Sequence, residues 1–159
     1  MQKTNNQMSF TSMYVSSRKL KSEFFIHINK LLDWKEIEAL IQTHYNKGLS
    51  VAGRPSYPGL LLFKMCLLQT WYGLSDYEVE EKVNDSLSFM QFVGLQLEDE
   101  VPDHSVISPF RSELTKKDAF EKIFEKINTQ LQSKGLVVKT GAIVDATVRA
   151  NPKAKPLML

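Results

Sequence analysis

The fifteen residues from Pro58 to Tyr72, PGLLLFKMCLLQTWY, hold only three strongly polar side chains, Lys64, Gln69 and Thr70. A helix that is apolar nearly all round has no face to give to water, so it must form the centre of a core with other helices packed around it. Pro58 suits the first turn of this helix and Gly73 ends it. The stretch is too short to cross a bilayer, and its most apolar window, Leu60 to Leu68, is broken by Lys64.

The surrounding elements follow from helical periodicity and capping residues. From Glu23 to Tyr45 two apolar faces succeed one another: Phe24, Phe25, Ile28, Leu31 and Leu32, then Trp34, Ile37, Leu40 and Ile41, with Asp33 between them as an N-cap. NKGLSVAGRPSYP is a loop by its glycines and prolines. Ser75 with Glu78 forms a capping box for a helix through about Asn84, and Leu87, Phe89, Met90 and Phe92 mark a short helix stopped by Gly94. After the acidic loop QLEDEVPD, His104 to Leu114 could be helical, but Pro109 cannot donate to the helix ladder and restricts Ser108, which places the firm start at Ser108 as N-cap with Pro109 in the first helical position. Asp118 with Glu121 caps the clearest helix, whose Phe120, Ile123, Phe124, Ile127 and Leu131 recur at helical spacing as far as Gly135.

At 159 residues the chain has room for one domain, or one domain and a fragment of another. The single cysteine, Cys66, cannot form an internal disulfide, and MQKTNNQMSF lacks the apolar core of a signal peptide. A reducing cytoplasm and no membrane association are therefore expected. The net charge of +2 is unevenly spread: residues 1–74 carry +5, residues 75–103 carry −8 and residues 104–159 carry +5. Contact with nucleic acid needs clustered cations, so it belongs to the basic flanks rather than to the stretch from Asp76 to Asp103, unless the pattern is simply solvated surface charge.

Beyond Gly135 the period changes. AIVDATV, Ala142 to Val148, is short, β-branched and bounded by Gly141 and Asn151-Pro152, which makes it a strand. Asp145 stands in its middle, where aspartate is disfavoured, and it is either on the solvent face of an edge or a carboxylate with a partner or metal. The strand has three possible partners: Leu136 to Lys139 folded back through Thr140-Gly141, the tail, or the same strand of a second molecule. Pairing between protomers or fraying is favoured, because a lone two-stranded ribbon is marginal in water. There is no Gly-rich phosphate loop, no CxxC, no HExxH and no internal repeat.

Four stretches, taken in order and spacing, resemble a known family: GRPSYPGLLLFKMCLLQTWYGLSDYEVEEKV, SFMQFVGL, VPDHSVISPFRSEL and GAIVDATVRANP. Together, from Gly53 to Pro152, they look like the N-terminal portion of a bacterial insertion-sequence transposase of the DDE class. The resemblance implies a mainly α fold: a helical bundle with a helix-turn-helix-like cluster, then one or two short strands that begin a ribonuclease-H-like core. Residues 1–22, polar and with Lys3, Arg18, Lys19 and Lys21 but no acid, read as a mobile basic arm, and the organisation that follows is a helical domain over 23–135 and the start of the catalytic core over 136–159. Asp145 corresponds by resemblance to the first of three catalytic acids that hold two divalent metals, usually magnesium, for strand cleavage and transfer. No Asp or Glu follows Asp145 in the printed sequence. The expectation is accordingly a truncated or frameshifted product, or a fragment, inactive as a transposase on its own and without tightly bound magnesium.

The implied role of the helical domain is to recognise the terminal inverted repeats of the element, or to assemble with further copies or with full-length transposase. The alternative is a helical dimerisation module that binds no DNA. PDHSVISPFRSEL resembles a family segment that often reads S-R-F-R, with Pro109 standing where an arginine is usual. If this segment is the reading helix, His104, Ser105 and Arg111 are its polar contacts, with Lys116 and Lys117 available to phosphate. It is otherwise a core helix with Val106, Ile107 and Phe110 facing inward. Arg54 is a loop candidate for a phosphate contact, and equally a capping or ion-pairing residue. Plainer readings hold elsewhere: surface histidines at His27 and His44, a buried Cys66, and packing roles for Trp34, Trp71 and Tyr72.

Overall fold

The computed structural model describes residues 10, 11, 13, 23–45, 57–139 and 142–145. Among them are seven helices and a β-hairpin: α1 (Glu23–Leu31), α2 (Trp34–His44), α3 (Gly59–Tyr72), α4 (Asp76–Asp85), α5 (Leu87–Val93), α6 (His104–Lys116), α7 (Ala119–Ser133), β1 (Leu136–Lys139) and β2 (Ala142–Asp145). The fold is mainly α, as the sequence implies.

Helix α3 is the hub. Eight of its fourteen residues are buried, and it packs against α2, α4, α5 and α6. It begins one residue later than Pro58, which acts as its N-cap, and closes on Gly73 at φ 65°, a left-handed conformation that returns the Leu74 N–H to the Gln69 carbonyl at 3.0 Å. At the other end α2 and α3 approach so closely that a Cβ on Gly59 would lie 2.8 Å from Ile41 Cγ2, leaving room for glycine alone. Around this axis the remaining helices each bury one stripe: Phe24, Phe25 and Ile28 from α1, Ile37 and Ile41 from α2, Val79 and Val83 from α4, and Ile123, Ile127 and Leu131 from α7.

The capping signals hold at most junctions. Asp33 accepts from the Lys35 and Glu36 amides at 3.1 and 3.3 Å, and Ser75 and Glu78 complete a reciprocal box. A second tie secures the α1–α2 corner from α7: the Asp33 amide donates to Gln130, whose own amide donates to Glu36, and Lys126 pairs with Glu36 at 2.7 Å.

Three sequence expectations are corrected. Helix α6 begins at His104, not after Ser108, with Asp103 as its N-cap accepting from Ser105 at 2.7 Å. Pro109 therefore lies inside the helix and forfeits one bond to the Ser105 carbonyl. Its ring is on the exposed face, while the same turns bury Ile107, Phe110 and Leu114, and that burial carries the helix through. Asp118 occupies the N-cap position of α7 but makes no side-chain cap. The chain reverses between α6 and α7 in two residues, which forces Asp118 to φ 50°, a conformation that aspartate tolerates better than most residues.

The third correction concerns the strands. β1 and β2 pair with each other, antiparallel, with Leu136 opposite Asp145 and Lys139 opposite Ala142, so the partner is the intramolecular one that the sequence argument ranked below pairing between protomers. The ribbon is not alone, because Leu136 and Val138 pack against the helical core. Within the arm, the described residues Phe10, Thr11 and Met13 are helical, and the rest of residues 1–22 lies outside the described residues, as do Ala146 to Val148 and the tail.

Candidate functional site

The polar chemistry among the described residues concentrates on the seam between α4 and α6. Asp76 pairs with Arg111 and Glu80 with His104, so the helices run antiparallel along it. At the Asp76 end the Arg111 guanidinium donates to both Asp76 oxygens at 3.2 to 3.4 Å and to Gln69 Oε1 at 2.9 Å, while Gln69 Nε2 donates to Asp76 at 2.6 Å. Desolvation pushes the Asp76 carboxyl up, but hydrogen bonds from Gln69 and Arg111 and the charges of Arg111 and His104 outweigh it and hold the group below the usual 3.8. These residues open onto a cavity of about 470 Å³ whose walls include Cys66, Leu74 and Phe120. Burial pushes the Cys66 thiol up to about 12, against the pull of Arg111, which makes it an inert small hydrophobe rather than a nucleophile.

At the other end Glu80 Oε2 accepts from the His104 backbone amide at 2.9 Å and faces His104 Nδ1 at 2.8 Å, capping the first turn of α6 from outside. Asp103 Oδ1 lies 3.4 Å from the same nitrogen, and the Tyr77 ring stacks on the imidazole with centroids 3.8 Å apart.

Comparison with known families places this arrangement. The family model described as Transposase domain (DUF772) matches residues 14–113, which run from before α1 into the last turns of α6. The chain belongs to this transposase domain family. No solved structure matches it. No helix among the described residues is long and apolar enough to cross a membrane.

Of the residues expected to touch DNA, Arg54, His104, Ser105 and Arg111 fall inside the matched transposase domain, whereas Lys116 and Lys117 lie beyond it, as does the expected catalytic acid Asp145. Arg54 lies outside the described residues. His104 and Arg111 pair with residues of α4, and on the same helix Ile107, Phe110 and Leu114 are buried while Val106 is partly buried against the core. Ser105 and Lys116 are exposed, and Lys117 donates to the His44 carbonyl at 2.6 Å with Glu113 at 3.6 Å. The structure thus brings His104 and Arg111 onto one seam and leaves Lys116 and Lys117 at the far end of α6.

Asp145 is the last described residue of β2, opposite Leu136 in the register. A pair of divalent ions, as the family resemblance implies, needs several carboxylates around it, of which Asp145 is one. The partners of the seam, Gln69, Asp76, Tyr77 and Glu80, were not singled out from the sequence. Their signal was present in the spacing: Asp76 and Glu80 at i and i+4 share one face of α4, and His104 and Arg111 at i and i+7 share one face of α6.

Proposed function

We propose that this transposase domain binds DNA and helps to assemble a transposition complex, and that its phosphate contacts come from the basic segments 1–22, 46–56 and 146–159. The observation that carries this reading is a partition of charge. Residues 1–22, 46–56 and 146–159 contain nine Lys and Arg and no Asp or Glu. Residues 23–45 and 57–145 contain eleven Lys and Arg against eighteen Asp and Glu. A body with that excess of acid repels a phosphate backbone, whereas segments with cations alone release counterions on contact. Arg18, Lys19, Lys21, Lys47 and Arg54 are on this reading the principal phosphate contacts. Lys116, flanked by the Glu113–Lys117 pair and Asp118, is a minor one, and His104 and Arg111 serve the α4–α6 seam before any base.

The reading extends to the DDE class: Asp145, in a strand that follows the helical domain, stands as the first acid of the catalytic core, with the other acids not supplied by residues 1–159. The partners it names are the terminal repeats of the element and other transposase copies.

The test is a fluorescence-anisotropy titration of residues 1–159 on a duplex of about 30 base pairs across a salt series. Affinity is expected to fall steeply between about 50 and 200 mM salt. Replacing Arg18, Lys19 and Lys21 by alanine should flatten that dependence by close to three phosphate contacts, and replacing Lys116 and Lys117 should change it by less than one. Absence of binding even at the lowest salt would overturn the DNA reading in favour of an interaction module. An effect confined to the Lys116 and Lys117 variant would overturn the placement of the contacts.

A further inference from the structure

We propose that Glu80, Asp103 and His104 form a binding site for a divalent transition-metal ion of the zinc and nickel type, bridging α4 to the start of α6. The site is independent of the DNA-binding reading and of the catalytic acids. Each of the three residues offers one ligand atom, and the three atoms lie within 4.8 Å of one another. His104 Nδ1 is 2.8 Å from Glu80 Oε2 and 3.4 Å from Asp103 Oδ1. Two ligands on a tetrahedral zinc ion, each at about 2.0 to 2.1 Å, are separated by roughly 3.3 Å. One edge of such a polyhedron is therefore in place and a second opens by about half an ångström.

The fold has already oriented all three ligands. The His104 backbone amide holds Glu80 Oε2, the Ser105 amide holds Asp103 Oδ1, and the Tyr77 ring fixes the plane of the imidazole. The side chains of His104, Glu80 and Asp103 are 31, 29 and 56% exposed, so an ion can enter from solvent and water can complete its shell.

Donor chemistry selects the class of ion. One imidazole nitrogen with two carboxylates suits zinc, nickel or cobalt, while magnesium and calcium favour all-oxygen shells. The surrounding charge favours a dication of any kind, since residues 75–103 carry nine acids and one lysine. The competing occupant is a proton on Nδ1, through which the ring can donate to Glu80 Oε2 at 2.8 Å. A metal ion replaces that proton and joins the same three residues.

The experiment is calorimetric titration of chelator-treated residues 1–159 with zinc chloride at pH 7.5, read alongside the long-range ¹⁵N–¹H spectrum of the histidine side chains. Saturation at one ion per chain is expected, with a change confined to the Nδ1 resonance of His104 and absent at His27 and His44. His104→Ala and Glu80→Gln should each weaken binding by about tenfold or more. Glu80→Gln keeps an acceptor for the His104 amide, so a folded variant is available even if His104→Ala destabilises α6. A His27→Ala chain should bind as the parent does. Lack of saturation, or binding that shifts His27 or His44 and survives both seam variants, would overturn the site and leave the direct His104–Glu80 contact in its place.

Discussion

Helix α3 separates two unlike surroundings, and the contrast shows how one helix can be tied into a core by two kinds of physics. Towards α1, α2 and α5 it meets rings: Phe25 stacks on Phe92 at 4.7 Å, Phe24 meets Trp71 edge-on at 5.3 Å, and Trp34 meets Phe92 at 5.8 Å. Towards α4 and α6 it meets a polar cluster, with Gln69 locked to Asp76 and Arg111. Each side holds one substantially enclosed cation. Lys64 sits 4.3 Å from the Trp34 ring and donates to the Phe92 carbonyl at 3.0 Å, and the charge that acts on it is that of Glu38. Arg111 has a carboxylate in direct contact. The ring side relies on buried area and shape, which tolerate no truncation. The polar side relies on charge-assisted bonds near solvent, where water replaces much of what a substitution removes.

The largest expected effect is therefore on the ring side. Phe92 is fully buried, stacks on one ring and touches two more, so Phe92→Ala removes a large side chain from a site that α3 and α1 cannot collapse to fill. The expected loss is about 3 to 5 kcal/mol, measured as a shift in the urea midpoint at unchanged slope. A loss below about 1 kcal/mol would mean that the rings are not the stronger of the two attachments.

The second effect depends on pH. Burial pushes the Lys64 ammonium down to about 8, against the pull of Glu38, from an ordinary value of 10.5. Between these two values the unfolded chain holds a proton that the folded chain has released, so stability rises with pH from about 8 to about 10.5. Such a shift corresponds to about 3 kcal/mol, and the Trp34 and Phe92 faces, which favour the charged form, reduce the expected rise to about 1 to 2 kcal/mol. Tyr72, raised by its own burial, opposes the trend near the top of the window, since the folded chain keeps a phenol proton that the unfolded chain loses. The difference between the parent and Lys64→Met isolates the lysine: the rise should vanish in the variant, and an unchanged alkaline limb would show that Lys64 titrates as in water.

How much of this was legible from the sequence follows the same division. The apolar run of α3, the stripes of α1, α2 and α7, and the caps at Asp33 and Ser75 are local patterns, and periodicity and capping chemistry reveal them residue by residue. The polar side is legible only by halves: spacing puts Asp76 and Glu80 on one face of α4 and His104 and Arg111 on one face of α6, but the pairs across the seam lie 24 to 42 residues apart and no local rule joins them. Pro109 misled for a related reason. A local breaker suggested a boundary, and tertiary burial of Ile107 and Phe110 overrode it. The strand pairing was misjudged because the support for β1 comes from Leu136 and Val138 against the helices, a contact that the β-branched pattern alone does not announce.

The smallest expected effect tests the polar side itself. The Asp76 carboxyl is held below 3.8 in the folded chain, so its contribution to stability is complete above about pH 4 and is lost as pH falls through the lower folded value. Glu78, lowered by its bonds to Ser75, loses its contribution over the same acid range, so the parent curve alone does not separate the two. Asp76→Asn does. It leaves an oxygen to accept from Gln69 or Arg111, removes the charge, and keeps the Ser75–Glu78 box intact. The expected cost at pH 7 is about 0.5 to 1 kcal/mol, discounted because the Arg111 side chain is 37% exposed and water takes up much of the loss. The gap between parent and variant should narrow as pH drops below about 4, because the parent carboxyl becomes neutral as well. A gap that stays constant down to pH 2 would assign the effect to amide geometry rather than charge. A cost as large as that of Phe92→Ala would erase the distinction between the two sides of α3.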